Sequence, residues 1–299
     1  MTTVAIDVVV PSVNRLELLD VTLTALLDAL DTAGLPTEIV TFVDERPGRP
    51  GVDHLLERLE LRTLVTGGVG AAAARNAGAR AGAAPWIAFI DDDVELNRTA
   101  LAAACSTVAS TGGVAIIGGL RPPAGSPPWL QWAYDDATLT PASSSAAAGA
   151  LDPVALATGL SLIERGAFER AGGFPDVVAW GWEDALMGLR LERVANTTPV
   201  LVREPAISGI HHYTPTWHEW LDRQHRAGAR LRALEPTIDA ADAARIRGAV
   251  NLTGGTRAWL KRAASWVPAR AWPPPVNRPL SRAAASAAFA RGYREGARG

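Results

Sequence analysis

The stretch Ala88-Phe89-Ile90-Asp91-Asp92-Asp93-Val94-Glu95 decides how the chain is read. Trp86 to Ile90 is an apolar run with the length and bulk of a buried strand, and it stops at three consecutive carboxylates. Three like charges at the mouth of an apolar strand repel one another, so the arrangement makes most sense where a divalent cation or a cationic ligand offsets them. Alternation along an extended strand end points Asp91 and Asp93 the same way, within reach of one ligand. An acidic turn leading into a helix N-terminus would use the same residues, and the stretch alone leaves both readings open.

Upstream, Val4 to Val10 is a β-branched run closed by Pro11, which reads as a strand buried on both faces. Leucines 16, 19, 23, 26, 27 and 30 then recur at helical spacing until Gly34. Glu38 to Val43 gives a second strand ending in Asp44-Glu45, followed by a helix over 52–59 and a short strand over 62–65. Gly67-Gly68-Val69-Gly70 leads into an alanine-rich helix over 71–81 carrying Arg75 and Asn76. Glycines before a helix can cradle phosphate, although neither the dinucleotide nor the Walker pattern is present. Downstream of the triplet, Asn97 or Thr99 can cap a helix over 100–110. Such alternation predicts an α/β fold, a Rossmann-like and mostly parallel central sheet flanked by helices, with ligands at the carboxyl ends of the strands. Pro11, Asp44 and Asp91 to Asp93 all fall at such ends.

From Gly118 the texture changes: four prolines, Trp129, Trp132 and Tyr134 beside Asp135 and Asp136, then a Ser/Ala loop over 143–149. This is an excursion from the sheet, either a wall over the site or a surface loop without a role. Ala157 to Ile163 reads as a strand and Glu164 to Ala171 as a helix stopped by Gly172-Gly173. In Trp180-Gly181-Trp182-Glu183-Asp184, paired carboxylates beside indoles occupy an environment that can raise the pKa of a general base, or they cap the apolar helix that follows. Pro199 to Val202 is another strand, and Ile207 to Tyr213 contains His211-His212, of which one suits Mn²⁺ together with carboxylates.

With 299 residues the chain can bury a large core. Its net charge of −2 and pI of about 6.2 give no general basic surface for nucleic acid. The single cysteine, Cys105, excludes a disulfide framework or a cysteine-rich zinc site, suits a reducing cytoplasm, and reads as a buried helical thiol. Neither a signal peptide nor a membrane span of about 18 apolar residues is predicted. Arginine outnumbers the lone Lys261 throughout, which with the alanine content suggests a GC-rich, bacterial genome.

In order along the chain come Val8-Val9-Val10-Pro11-Ser12-Val13-Asn14-Arg15, Val43-Asp44-Glu45, Ala74-Arg75-Asn76-Ala77-Gly78 and Phe89-Ile90-Asp91-Asp92-Asp93. Gly172-Gly173-Phe174, Trp182-Glu183-Asp184 with Arg190, and His211-His212 follow. In these fragments and their order the chain resembles a family 2 glycosyltransferase with a GT-A fold, across residues 4 to about 230. The resemblance implies an inverting, Mn²⁺- or Mg²⁺-dependent transferase that moves a sugar from a nucleoside-diphosphate sugar to a glycan, lipid-linked or small-molecule acceptor. It implies that Pro11, Asn14 and Arg15 line the nucleotide pocket, that Asp44 meets the base, and that Arg75 lies near the phosphates. Asp91 and Asp92 would face ribose or sugar, Asp93 with Asp91 and His211 or His212 would hold the metal, and Asp184, paired with Glu183, would be the catalytic base. Trp180 and Trp182 would stack on acceptor sugar. A retaining transferase or nucleotidyltransferase on the same scaffold would not need Asp184 as a base, and a non-catalytic glycan- or nucleotide-binding module would need neither base nor metal.

Two domains are expected: a catalytic unit over 1–230 and a helical C-terminal extension over 231–299. The basic helix bearing Arg223, Arg226 and Arg230 faces solvent, donor phosphate or an anionic acceptor. Trp259, Lys261, Arg262, Trp266 and Trp272 either lie on a membrane interface at the cytoplasmic face or pack on the catalytic unit or a second subunit as a homo-oligomer contact.

Overall fold

The computed structural model describes residues 6–13, 16–46, 50–59, 61–135, 142, 147–175, 181–250, 274 and 278–296. Asn14, Arg15, Trp180, most of the Ser/Ala loop and the Trp/Arg segment from 251 to 273 lie outside them. Strand β1 (Ile6–Ser12) and helix α1 (Leu16–Ala33) open the chain, followed by β2 (Val40–Asp44), α2 (Pro50–Leu59), β3 (Arg62–Val65), α3 (Ala71–Ala81) and β4 (Trp86–Ile90). Next come β5 (Val94–Leu96), α4 (Ala100–Ser110), β6 (Ala115–Arg121), α5 (Pro128–Asp135), β7 (Gly149–Leu151), β8 (Leu160–Glu164) and α6 (Arg165–Arg170). The described residues end with α7 (Glu183–Val194), β9 (Leu201–His211), α8 (Trp217–Leu234), α9 (Ala240–Ala249) and α10 (Arg278–Glu295).

The strands form one sheet in the order β3-β2-β1-β4-β8-β6-β9-β5, with β7 on β9. The first four are parallel, as their β-branched runs and helical crossovers require. Alternation along β1 splits the core into two layers. Val8 and Val10 pack with Leu19, Leu23, Leu26 and Leu30 of α1. Val9 packs the other way with Ala74 of α3, Phe89 and Phe168. Each such leucine, fully buried, contributes about 2 kcal/mol of apolar transfer. Gly78 is what lets α3 lie this close, since a Cβ there would come within 2.3 Å of Val9 Cγ1.

Beyond β4 the sheet is mixed. β8 inserts antiparallel between β4 and β6, while β6 and β9 run parallel. The strand expected over 199–202 runs on to His211 as one long strand, β9. Its register against β6 shifts between Gly118, paired with Glu204, and Gly119, paired with Ser208, and this irregularity accommodates Pro205-Ala206-Ile207. The strand expected from Ala157 begins only at Leu160, which leaves Thr158 and Gly159 in the loop before it. Helix α4 has the expected bounds, but Thr99 makes no side-chain cap and the Asn97 amide is turned onto Ser208 instead. Cys105 lies half-buried on α4, where burial raises its thiol pKa.

Helix α10 packs along α8 at backbone contact distance: a Cβ on Gly292 would sit 1.8 Å from the His225 carbonyl oxygen, and one on Gly228 2.1 Å from that of Phe289. Residue 230, the expected domain boundary, falls inside α8. Among the described residues no helix is long and apolar enough to cross a membrane.

Candidate active site

The sheet register gathers the acidic strand ends on one edge. Ser12 pairs with Asp44 across β1 and β2, and Val9 pairs with Phe89 just before β4 runs into Asp91. Ile90 pairs with Leu160 at the start of β8, so the loop carrying Thr158 and Gly159 arrives beside the triplet. The Asp91 amide donates to the Gly159 carbonyl at 3.0 Å.

The triplet is a turn rather than the end of an extended strand. The Val94 N–H donates to the Asp91 carbonyl at 3.2 Å, and the three carboxylates meet different partners. Extended alternation, the premise for pointing Asp91 and Asp93 the same way, does not run through this turn. Asp91 accepts from Arg75 Nη2 at 2.7 Å. Asp92, 7% exposed, accepts from Ser12 Oγ at 2.8 Å and offers its carbonyl to Thr22, so it braces β1 and α1. Asp93 turns to His211, with Oδ1 3.3 Å from Nε2.

Of the two adjacent histidines, only His211 faces the triplet with its ring. His212 gives Nε2 to Glu95 Oε2 at 2.7 Å and its backbone N–H to the Asp93 carbonyl. Nδ1 of His211 is 2.5 Å from the Tyr134 hydroxyl on α5, and Tyr213 stacks on the imidazole with centroids 5.8 Å apart. The Arg223 guanidinium lies 4.7 Å over the Tyr213 ring, which puts the first basic residue of α8 beside this cluster.

Arg75 links the triplet to α7. Its side chain, 6% exposed, bonds Asp91 and lies 4.0 Å from Asp184 Oδ1. Asp91 and Asp184 outweigh the desolvation of the guanidinium and raise its pKa. Asp184 accepts from Thr158 twice, from Oγ1 at 2.8 Å and from the backbone N–H at 3.0 Å. Burial raises the Asp184 pKa to about 6; Arg75 opposes that, Glu183 adds to it, and the Thr158 bonds oppose it again. With 30% of its side chain exposed, Asp184 is an accessible carboxylate that ionises near neutrality. Glu183 is buried and accepts from the Gly181 N–H at 2.6 Å, so it holds the turn before α7. Trp182 gives its indole N–H to the Ala227 carbonyl on α8 and meets Phe289 edge-on, in the helical layer away from Arg75.

At the ends of β1 and β2, Pro11 and Asp44 are buried side by side in the sheet, and Asp44 Oδ1 accepts from the Arg46 N–H at 2.8 Å. Glu45 accepts from the Gly70 N–H at 2.8 Å, which occupies one donor of the glycine loop. Burial raises the Glu45 pKa against that bond. Gly67, Gly68 and Gly70 all have positive φ, which explains the glycines in that turn. Asn76 does not face the site: its amide bonds both the N–H and the carbonyl of Phe174, and Arg190 donates to the Gly173 carbonyl. The Arg75-Asn76 and Gly172-Gly173-Phe174 fragments are thereby one structural unit.

The metal reading can be tested on the donor set. Two cis ligands of a divalent ion at bonds of about 2.1 Å stand about 3 Å apart, and Asp93 Oδ1 and His211 Nε2 are separated by 3.3 Å. No cluster of three or more candidate ligands occurs among the described residues. The spacing of these two donors fits one divalent ion that would take its other ligands from outside the protein.

A model of the family described as glycosyl transferase family 2 matches residues 7–167, just over half of the chain. No curated protein matches. Among solved structures, the mannosyltransferase PcManGT from Pyrobaculum calidifontis, in complex with GDP-Man and Mn²⁺, is similar over 97% of this chain and 87% of its own, at 18% identity and a TM-score of 0.60. Residues 1–349 of S. aureus TarS are similar over 97% and 89%, at 14% identity and a TM-score of 0.54.

Proposed function

Since the chain belongs to glycosyl transferase family 2 and has the GT-A fold, we propose that this glycosyltransferase is metal-dependent and inverting, and that it moves a sugar from a nucleoside-diphosphate sugar to an acceptor hydroxyl. The observation that carries the reading is the line Asp91–Arg75–Asp184, in which a buried guanidinium joins two part-exposed carboxylates and burial raises the pKa of Asp184. Asp184 takes the proton of the acceptor hydroxyl as its oxygen bonds to the anomeric carbon and the bond to the diphosphate breaks. One displacement inverts that carbon, and one base suffices. Asp93 and His211 would hold the divalent ion, which when bound neutralises charge on the departing diphosphate. Arg75 keeps Asp91 and Asp184 at fixed separation, so that a sugar bonded to Asp91 presents its far face to the base. Pro11 and Asp44 would meet the base of the nucleotide. Helices α9 and α10 would belong to a C-terminal extension of this unit, with α8 spanning residue 230.

GDP-mannose, bound by the similar PcManGT, is the first donor to try. The test titrates UDP, GDP, dTDP and CDP with and without Mn²⁺ against the wild type, Asp93→Ala and Asp184→Asn. Metal-dependent binding of one nucleotide, lost in Asp93→Ala and kept without turnover in Asp184→Asn, supports the reading. Full turnover in Asp184→Asn would sink the base assignment.

A further inference from the structure

Tyr134 belongs to the Pro- and Trp-rich excursion after β6, outside every motif used above. It is 7% exposed, and its only polar atom stands 2.5 Å from Nδ1 of His211. The two rings meet edge to face with centroids 6.0 Å apart, and Tyr213 covers one face of the imidazole. The His211 ring is therefore held at one nitrogen and over one face, while Nε2 faces Asp93.

We infer that Tyr134 is a positioning residue for His211, and that its hydroxyl serves as a two-way partner whose hydrogen bond to Nδ1 reverses direction when a divalent cation binds at Nε2. This rests on the metal reading above. A neutral imidazole carries one proton, and Asp93 as a carboxylate only accepts. Without metal, the Asp93 carboxylate 3.3 Å from Nε2 favours the proton on that nitrogen; Nδ1 is then an acceptor and the Tyr134 O–H donates to it. A cation at Nε2 needs that lone pair. With such a cation bound, the ring would carry its single proton on Nδ1 instead of Nε2, and Nδ1–H would donate to the Tyr134 oxygen, with no net change in protons. A carboxylate or carbonyl in place of Tyr134 could satisfy only the metal-bound form. A hydroxyl satisfies both, which suits an ion that comes and goes with the nucleotide.

Tyr134→Phe keeps the ring and removes the hydroxyl. Two measurements on wild type, Tyr134→Phe and His211→Ala test the inference: Mn²⁺ affinity from the electron paramagnetic resonance of the free ion, and the protonated nitrogen of His211 in long-range ¹H–¹⁵N spectra of metal-free protein. We expect Mn²⁺ binding weaker by about 10- to 100-fold in Tyr134→Phe. Metal-free wild type should show the Nε2–H form, and so should metal-free Tyr134→Phe, since Asp93 rather than Tyr134 sets that tautomer. Wild-type affinity in Tyr134→Phe overturns this inference and leaves the metal reading standing. Wild type that binds no Mn²⁺, or His211→Ala that binds it as wild type does, overturns the metal reading and the inference together. The spectrum of the wild type decides even where the variant folds poorly, because an Nδ1–H form in metal-free protein contradicts the proposed direction.

Discussion

Replacing Thr158 with valine tests whether Asp184 is a base whose proton affinity the loop before β8 adjusts. Valine keeps the shape of the buried side chain and the backbone N–H bond to Oδ2, and removes only the hydroxyl that donates to Oδ1 at 2.8 Å. That bond favours the charged carboxylate, so its loss raises a pKa that burial has already lifted to about 6. A hydrogen bond to a charged group is worth about 1.5–3 kcal/mol. Water can replace part of it at a side chain 30% exposed, which leaves about 1–1.5 kcal/mol, or about one pKa unit. A base is active above its pKa. The acid limb of kcat/KM should therefore move from about 6 to about 7 in Thr158→Val, with the rate recovered at higher pH. Initial rates of nucleoside-diphosphate release between about pH 5 and pH 9 read this directly. An equal loss at every pH would mean that Thr158 only positions Asp184, and an unmoved limb at full rate would mean that the limb does not report Asp184.

The adjacent histidines should separate cleanly: His211→Ala loses Mn²⁺-dependent nucleotide binding, whereas His212→Ala, whose imidazole is engaged by Glu95, keeps it within about 3-fold, since it removes neither a ligand nor the Tyr134 partner of one. Gly292→Ala forces α8 and α10 apart, because its Cβ would lie 1.8 Å from a backbone oxygen; thermal melting should show a loss of about 1–3 kcal/mol. Gly248→Ala on α9 meets nothing within 4 Å and should gain up to about 1 kcal/mol from helix propensity, so a loss there would refute the packing argument. Asn76→Ala frees both backbone groups of Phe174 and should cost about 1–3 kcal/mol in urea denaturation, with donor affinity less affected than stability.

The parallel half of the sheet was legible because its signals are local. The runs 62–65 and 86–90 and the helices 71–81 and 100–110 have the bounds expected from apolar content and flanking glycine or threonine. The mixed half was not. Pro205 sits within β9, and a proline inside an apolar run argues against a continuous strand unless an irregularity accommodates it. That irregularity depends on the pairing with β6, a partner about 85 residues away, so no local window records it. The Asp triplet failed for a related reason: extended alternation was assumed where a turn closes between Asp91 and Val94.

Among the residues named from sequence, the charged ones are those that meet one another at the site. Asp91, Arg75 and Asp184 are joined by direct contacts, and Asp93 meets His211. What escaped were the neutral hydroxyls that hold them: Ser12 on Asp92, Thr158 on Asp184 and Tyr134 on His211. A run of three carboxylates is conspicuous in any sequence, whereas a serine, threonine or tyrosine is common everywhere and acquires meaning only from what the fold puts against it. Asp92, bonded by Ser12, is 7% exposed, while the side chain of Asp184, bonded by Thr158, keeps 30%, so a hydroxyl braces the one in the scaffold and adjusts the proton affinity of the other. Charge alone does not separate the members of the triplet; their partners do, Ser12 making Asp92 a brace, Arg75 making Asp91 a link and His211 facing Asp93.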